Sequence, residues 1–145
     1  MLPRWHILFG FIFTLVIWYF APNISLFYLL LVFLSSFLID FDHYICAVKK
    51  NGNFNIFHAF KYHEEQRNLE EKEKRRGTRK KGDFHLFHTV EFHVMIGILG
   101  IFISPFFYIF IGMVFHSLLD LIWLLKEDRF YRREYFLINW VKRLK

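Results

Sequence analysis

Cysteine is almost missing from this chain. Cys46 stands alone, so there is no internal disulfide, and the redox compartment cannot be read from the thiols. Charge is missing in blocks. Residues 5–20 (WHILFGFIFTLVIWYF), 24–39 (ISLFYLLLVFLSSFLI), 92–103 and 106–119 (FFYIFIGMVFHSLL) contain no lysine, arginine, aspartate or glutamate. The first block is followed by APNIS rather than by a small-residue cleavage site, which argues against a removed signal peptide. There is no internal repeat and no low-complexity tract.

What is present is apolar. Of 145 residues 55% are hydrophobic, with 21 phenylalanines, more than a soluble domain of this size can bury. With their flanks, the uncharged blocks reach the roughly 20 residues that cross a bilayer's hydrocarbon core. The sequence therefore predicts an all-α polytopic membrane protein forming a single membrane domain over residues 1–145. Its four spans lie near 4–21, 24–45, 84–103 and 105–125, with a helical insert over 47–83 and an amphipathic tail over 126–145.

Basic residues orient it. Eleven lysines and arginines fall in residues 49–83 and seven in 126–145, whereas the connections at Pro22-Asn23 and Ser104-Pro105 carry no charge. The positive-inside rule puts both termini and the insert in the cytoplasm, hence in a cell's inner membrane. Residues 58–76 (HAFKYHEEQRNLEEKEKRR) read as a solvated helix bearing His58 and His63, and GTRKKGD ends it, with Asp83 an N-cap candidate for the third span. The tail RFYRREYFLINWVKRLK reads as an interfacial helix. The sequence pI of about 9.5 does not imply nucleic-acid binding, because the basic residues sit where topology alone requires them.

Ionisable groups at membrane depth default to function. They are His6, Asp40, Asp42, His43, His85, His88, Glu91, His93, His116 and Asp120, with no lysine or arginine among them beyond the cytoplasmic flanks. Most lie within roughly 15 Å of the cytoplasmic surface at about 1.5 Å per helical residue, and the outer half holds nothing ionisable. Asp40/His43 and His116/Asp120 sit at helical spacing on one face. His85, His88 and Glu91 follow at steps of three, which places them together if the segment is helical, while His93 falls on another side. Imidazole with carboxylate is the ligand field of Zn, Mn or Fe. Two divalent ions would balance the four carboxylates in formal charge.

The motifs LIDFDHY (38–44), FHTVEFH (87–93) and GMVFHSLLDLI (112–122), preceded by RWH (4–6), resemble the YdjM-like family of membrane-bound metal-dependent hydrolases. The resemblance covers the four spans and omits the 47–81 insert and the tail. It implies His6, Asp40, Asp42, His43, His88, His116 and Asp120 as site residues. The family's central His-Arg-Gly-x-Thr-His-Ser is replaced here by HTVEFHV, which supplies Glu91 and leaves open whether Glu91 or His93 takes the second histidine's place.

The expected function is hydrolysis of an ester or phosphoester, of a lipid or lipid-linked substrate at the cytoplasmic leaflet. One to three divalent ions, zinc first and Mn or Fe after it, would be held by His6, Asp40, Asp42, His43, His88, Glu91, His116 and Asp120. Glu91 or Asp42 would act as general base. A divalent-metal transporter is the main alternative from another class; it would need oligomerisation and polar groups across the whole bilayer. A diiron lipid oxidase would want the His-His pair that is missing. A metalloprotease would want His-Glu-x-x-His, also missing.

Overall fold

The computed structural model describes residues 3–144. In chain order the helices are α1 (Pro3–Phe20), α2 (Leu26–Leu38), α3 (Phe41–Asn51), α4 (Ile56–Arg75), α5 (Val90–Phe102), α6 (Ser104–Lys126) and α7 (Leu137–Leu144). Single 3-10 turns occupy Leu86–His88 and Phe130–Arg132, and no strand occurs among the described residues.

Three segments are long and apolar enough to cross a membrane: Pro3–Phe20, Leu26–Asn51 (α2 and α3 together) and Ser104–Lys126. The predicted third span differs. Helix α5 has 13 residues, which rise about 20 Å and fall short of a hydrocarbon core of about 30 Å. The segment before it is extended or 3-10, and the backbone there finds partners within the protein. Phe87 N–H donates to the Asp42 carboxylate at 3.0 Å and Val90 N–H to the Tyr135 carbonyl at 2.9 Å. Backbone outside regular helix is tolerated in a buried setting only when other groups satisfy it in this way.

Polarity is inverted relative to a soluble domain. Five of the six largest fully buried side chains are polar, namely His6, Ser36, Thr89, His116 and Asp120, whereas Phe11, Trp18, Phe20, Leu26, Ile98 and Ile122 are exposed. An apolar exterior around a polar interior is the arrangement that lipid as solvent selects.

Helix α2 packs against both α1 and α6, and α5 packs against α6. Two glycines let these backbones close. A Cβ on Gly10 would lie 2.0 Å from Ser36 Oγ, and one on Gly112 would lie 2.0 Å from Ser35 Oγ and 2.3 Å from the Val32 carbonyl oxygen. Small residues facing one another are how helices approach where no hydrophobic effect drives them together. Stacked rings fill the remainder, Phe13 on Phe115 at 4.0 Å and Tyr28 on Tyr108 at 4.3 Å.

Helix α2 breaks at Ile39–Asp40 before α3 begins. Asp40 N–H bonds the Phe37 carbonyl three residues back, at 3.2 Å. The Ser36 carbonyl, freed by that tightening, accepts from a side chain instead.

The insert helix α4 docks on α3 through Ala47, Ala59 and Tyr62. Asp83 does not cap the next helix. Its carboxylate takes the Lys50 ammonium and, at 2.7 Å, the Tyr62 hydroxyl. Burial works to raise the Asp83 carboxyl, but the bonds from Lys50 and Tyr62 win and hold it below the usual range. Burial and the same Asp83 bond push the Tyr62 phenol up to about 12. Thr89 is the N-cap of α5, its hydroxyl accepting from Phe92 N–H at 3.3 Å. Among the described residues after α6, Leu137–Leu144 alone is α-helical, and Arg129 and Arg132 reach back to Glu70 and Glu73 of α4 at 3.0 and 2.9 Å.

Candidate metal centre

The break between α2 and α3, the start of α1, the turn before α5 and the late part of α6 meet at one end of the helices. Asp40 Oδ1 lies 3.4 Å from both His88 Nε2 and His116 Nε2, and 3.5 Å from His43 Nε2. Asp120 Oδ2 lies 3.5 Å from His116 Nε2 and 3.8 Å from His88 Nε2. Asp40, His88, His116 and Asp120 thus each offer a ligand atom within 4.8 Å of one another and can hold a metal ion; a second grouping joins Asp42, His43 and His88.

The hydrogen bonds fix the ring tautomers. His116 Nδ1 faces the Ser36 carbonyl at 2.8 Å, and a carbonyl can only accept, so Nδ1 carries the proton. His88 Nδ1 faces Asp42 Oδ2 at 3.1 Å and donates likewise. In the neutral rings both Nε2 atoms then carry lone pairs, and these two atoms face each other at 3.2 Å. Two carboxylate oxygens point into the same space. A proton on one ring would relieve the contact between the nitrogens; a cation at the centre would meet both nitrogens and the Asp40 oxygen, beside the Asp120 carboxylate. Donation of the other ring N–H to a carboxylate or a backbone carbonyl is also how metal-ligating histidines are normally oriented.

The surroundings are built to the same end. His6 is fully buried; its ring stacks on His116 with centroids 3.9 Å apart, and its Nε2 lies 3.1 Å from Asp120 Oδ1. His43 and His85 pack ring against ring at 3.7 Å. Three buried polar atoms here, His6 Nδ1, Asp42 Oδ1 and His85 Nδ1, have no hydrogen-bond partner among the described residues. His85 Nδ1 and Asp42 Oδ1 face each other at 3.7 Å, beyond hydrogen-bond length, and buried polar atoms left so are costly unless an ion or water completes them. In the second grouping His88 Nδ1 is already committed to Asp42, so the Nε2-centred set is the stronger.

The structure brings together seven of the eight residues expected as ligands: His6, Asp40, Asp42, His43, His88, His116 and Asp120. Glu91 stands apart. Its carboxylate accepts from the backbone N–H groups of Leu137 at 2.9 Å and Ile138 at 3.3 Å, at the start of α7. The expected shared face of His85, His88 and Glu91 needs a continuous helix, and only Glu91 lies in one. His93 is an interhelical link, Nδ1 to its own Thr89 carbonyl and Nε2 to the Ser117 hydroxyl, both 2.9 Å. His63 bonds the His43 carbonyl at 3.1 Å.

Sequence reasoning missed Arg133. Its guanidinium reaches Asp120 Oδ2 at 2.6 Å, so the carboxylates are not without a basic partner. The Arg-Arg pair in RFYRREYF was the available signal, but nothing local tells which arginine turns inward. No protein-family model, curated protein or solved structure matches the chain.

A substitution separates Glu91 from the cluster. Glu91→Gln is expected to leave metal content at the wild-type level. Weakened charge-assisted bonds to α7 should cost about 1 kcal/mol or less of stability. Elemental analysis beside a thermal melt checks both; loss of metal would return Glu91 to the ligand set.

Proposed function

We propose that the chain is an integral-membrane, metal-dependent hydrolase acting on an ester or phosphoester, of a lipid, at the cytoplasmic leaflet. In this reading α5 with its flanks forms the fourth span and both termini face the cytoplasm of a cell's inner membrane, as the basic residues require. The observation that carries it is the convergence of His88 Nε2, His116 Nε2 and the oxygens of Asp40 and Asp120 within 4.8 Å of one another.

These four residues would hold the ion, and their N/O donor set suits zinc first, with Mn and Fe also fitting. Such an ion, when bound, supplies Lewis acidity and brings water in the site toward ionisation near neutral pH. Asp42 orients His88 through Oδ2, and its Oδ1, 3.7 Å from His85 Nδ1, is assigned here as the general base. His6 steadies His116 by stacking and Asp120 by hydrogen bonding. His43, with 30% of its side chain exposed, lies at the mouth. The opposite ends of the helices support a hydrolase over a transporter, because they present Phe20, Leu26, Ile101 and Phe102 rather than a polar path.

The test is elemental analysis of freshly purified full-length protein, followed by incubation with mixed phospholipids. The expected result is about one divalent ion per chain. Product release should stop on chelation and return when zinc is restored. Protein that carries no metal and takes none up would sink the reading.

A further inference from the structure

A cavity of about 1020 Å³ opens beside the cluster, with Asp40, His43, His85 and Asp120 on one wall. Its other walls are of two kinds. Phe41, Tyr44, Ile56, Phe60 and Trp123 form an apolar side, and the rest is charged with both signs, Arg129, Arg132 and Arg133 standing among Glu64, Glu70 and Glu73. These arginines are not equivalent. Arg129 is bound to Glu70 and Glu71, and Arg132 to Glu70 and Glu73, so both staple the tail to α4. Arg133 instead turns to the cluster, with 13% of its side chain exposed. Among the described residues its guanidinium has a single acceptor, Asp120 Oδ2. An arginine fork carries five N–H donors. The remaining donors therefore stand at the cavity wall beside the candidate metal ligands.

We infer that Arg133 is the oxyanion-binding residue of this site, and that the cavity takes a ligand with a phosphate oxyanion and an apolar portion. The inference rests on the metal-dependent reading above and narrows its substrate class to phosphoesters. A tetrahedral phosphate offers several oxygens, enough to meet a metal ion and a guanidinium fork together, whereas a neutral carboxylic ester offers one carbonyl oxygen and no charge. Asp120 holds the fork from behind, and the apolar wall accommodates the remainder of the ligand. The same oxyanion chemistry is found in a lipid headgroup and in a soluble phosphate ester.

Full-length protein, loaded with zinc and assayed for metal content, should be titrated with inorganic phosphate. It should then be titrated with vesicles of phosphatidylcholine containing phosphatidic acid, against vesicles of phosphatidylcholine alone. Arg133→Gln should weaken phosphate binding at least tenfold while metal content stays at the wild-type level. Arg133→Lys, which keeps the charge and loses the fork, should fall between. Lys142→Gln on α7 should match wild type. Preference for phosphatidic acid vesicles over phosphate assigns the oxyanion to a lipid, and equal binding assigns it to a soluble ester; either supports the fork. Unchanged phosphate affinity in Arg133→Gln overturns the inference and leaves the metal reading intact. Joint loss of metal and phosphate in both Arg133 variants also overturns it, because Arg133 would then only support Asp120. A wild-type protein that binds no metal fails at the first measurement and removes both readings.

Discussion

Purified His116→Ala protein is expected to hold less than a tenth of the wild-type metal content under conditions that saturate the wild type. His116 contributes one of four converging ligand atoms. Loss of a residue that merely orients a ligand costs about 10–100-fold in metal affinity, so loss of a ligand should cost at least that much. A second effect follows from the α2 break. The Ser36 carbonyl depends on His116 Nδ1–H for its partner, and a buried carbonyl left unpaired costs about 1–3 kcal/mol. The melting temperature should therefore fall as well, even in metal-free protein. His93→Ala is the comparison, because that ring bonds Ser117 and Thr89 and lies outside the converging ligand sets. It should keep its metal. Equal metal loss in both variants would show that the two histidines act through the fold alone.

Gly112→Val should be the most damaging apolar change in the molecule. The new Cβ would lie 2.3 Å from the Val32 carbonyl oxygen and 3.1 Å from the Ser36 backbone nitrogen, so backbone must move. Overpacking of this kind costs about 1–3 kcal/mol, and a clash against helix backbone falls at the upper end. That corresponds to a drop on the order of 10 °C in melting temperature for a chain of this length. Metal binding should weaken too, since a displaced α6 withdraws His116 from Ser36 and Asp120 from His6. Gly82→Ala is the control, because its nearest contact would be an ordinary 3.6 Å. A thermal melt and a metal titration on both variants check this. Wild-type metal affinity in a destabilised Gly112→Val would uncouple the α2–α6 contact from the site.

Much of the site is legible in the chain because its parts are local. Asp40, Asp42 and His43 sit in one motif, and His116 with Asp120 sits at an i,i+4 spacing that any helix places on one face. The segment 84–93 is less legible. It reads as a helix with His85, His88 and Glu91 in a row, yet Thr89 starts the helix and the histidines precede it. Capping won over periodicity there because the Asp42 carboxylate binds Phe87 N–H and so favours the extended approach. Glu91 then projects toward α7, where two backbone N–H groups claim it.

By itself the sequence determined an all-helical chain with apolar segments able to cross a membrane, and it confined nearly all ionisable groups in those segments to one end. Composition and spacing suffice for that, since lipid penalises charge wherever it falls along a span. Only the tertiary structure decided which of those groups meet. Glycine-mediated contact at Gly10 and Gly112 sets the rotation of α1 and α6 about α2, the freed Ser36 carbonyl fixes the His116 tautomer, and the tail returns Arg133 to Asp120 from outside the predicted spans. Each depends on the approach of segments far apart in the chain, a distance that no local pattern encodes.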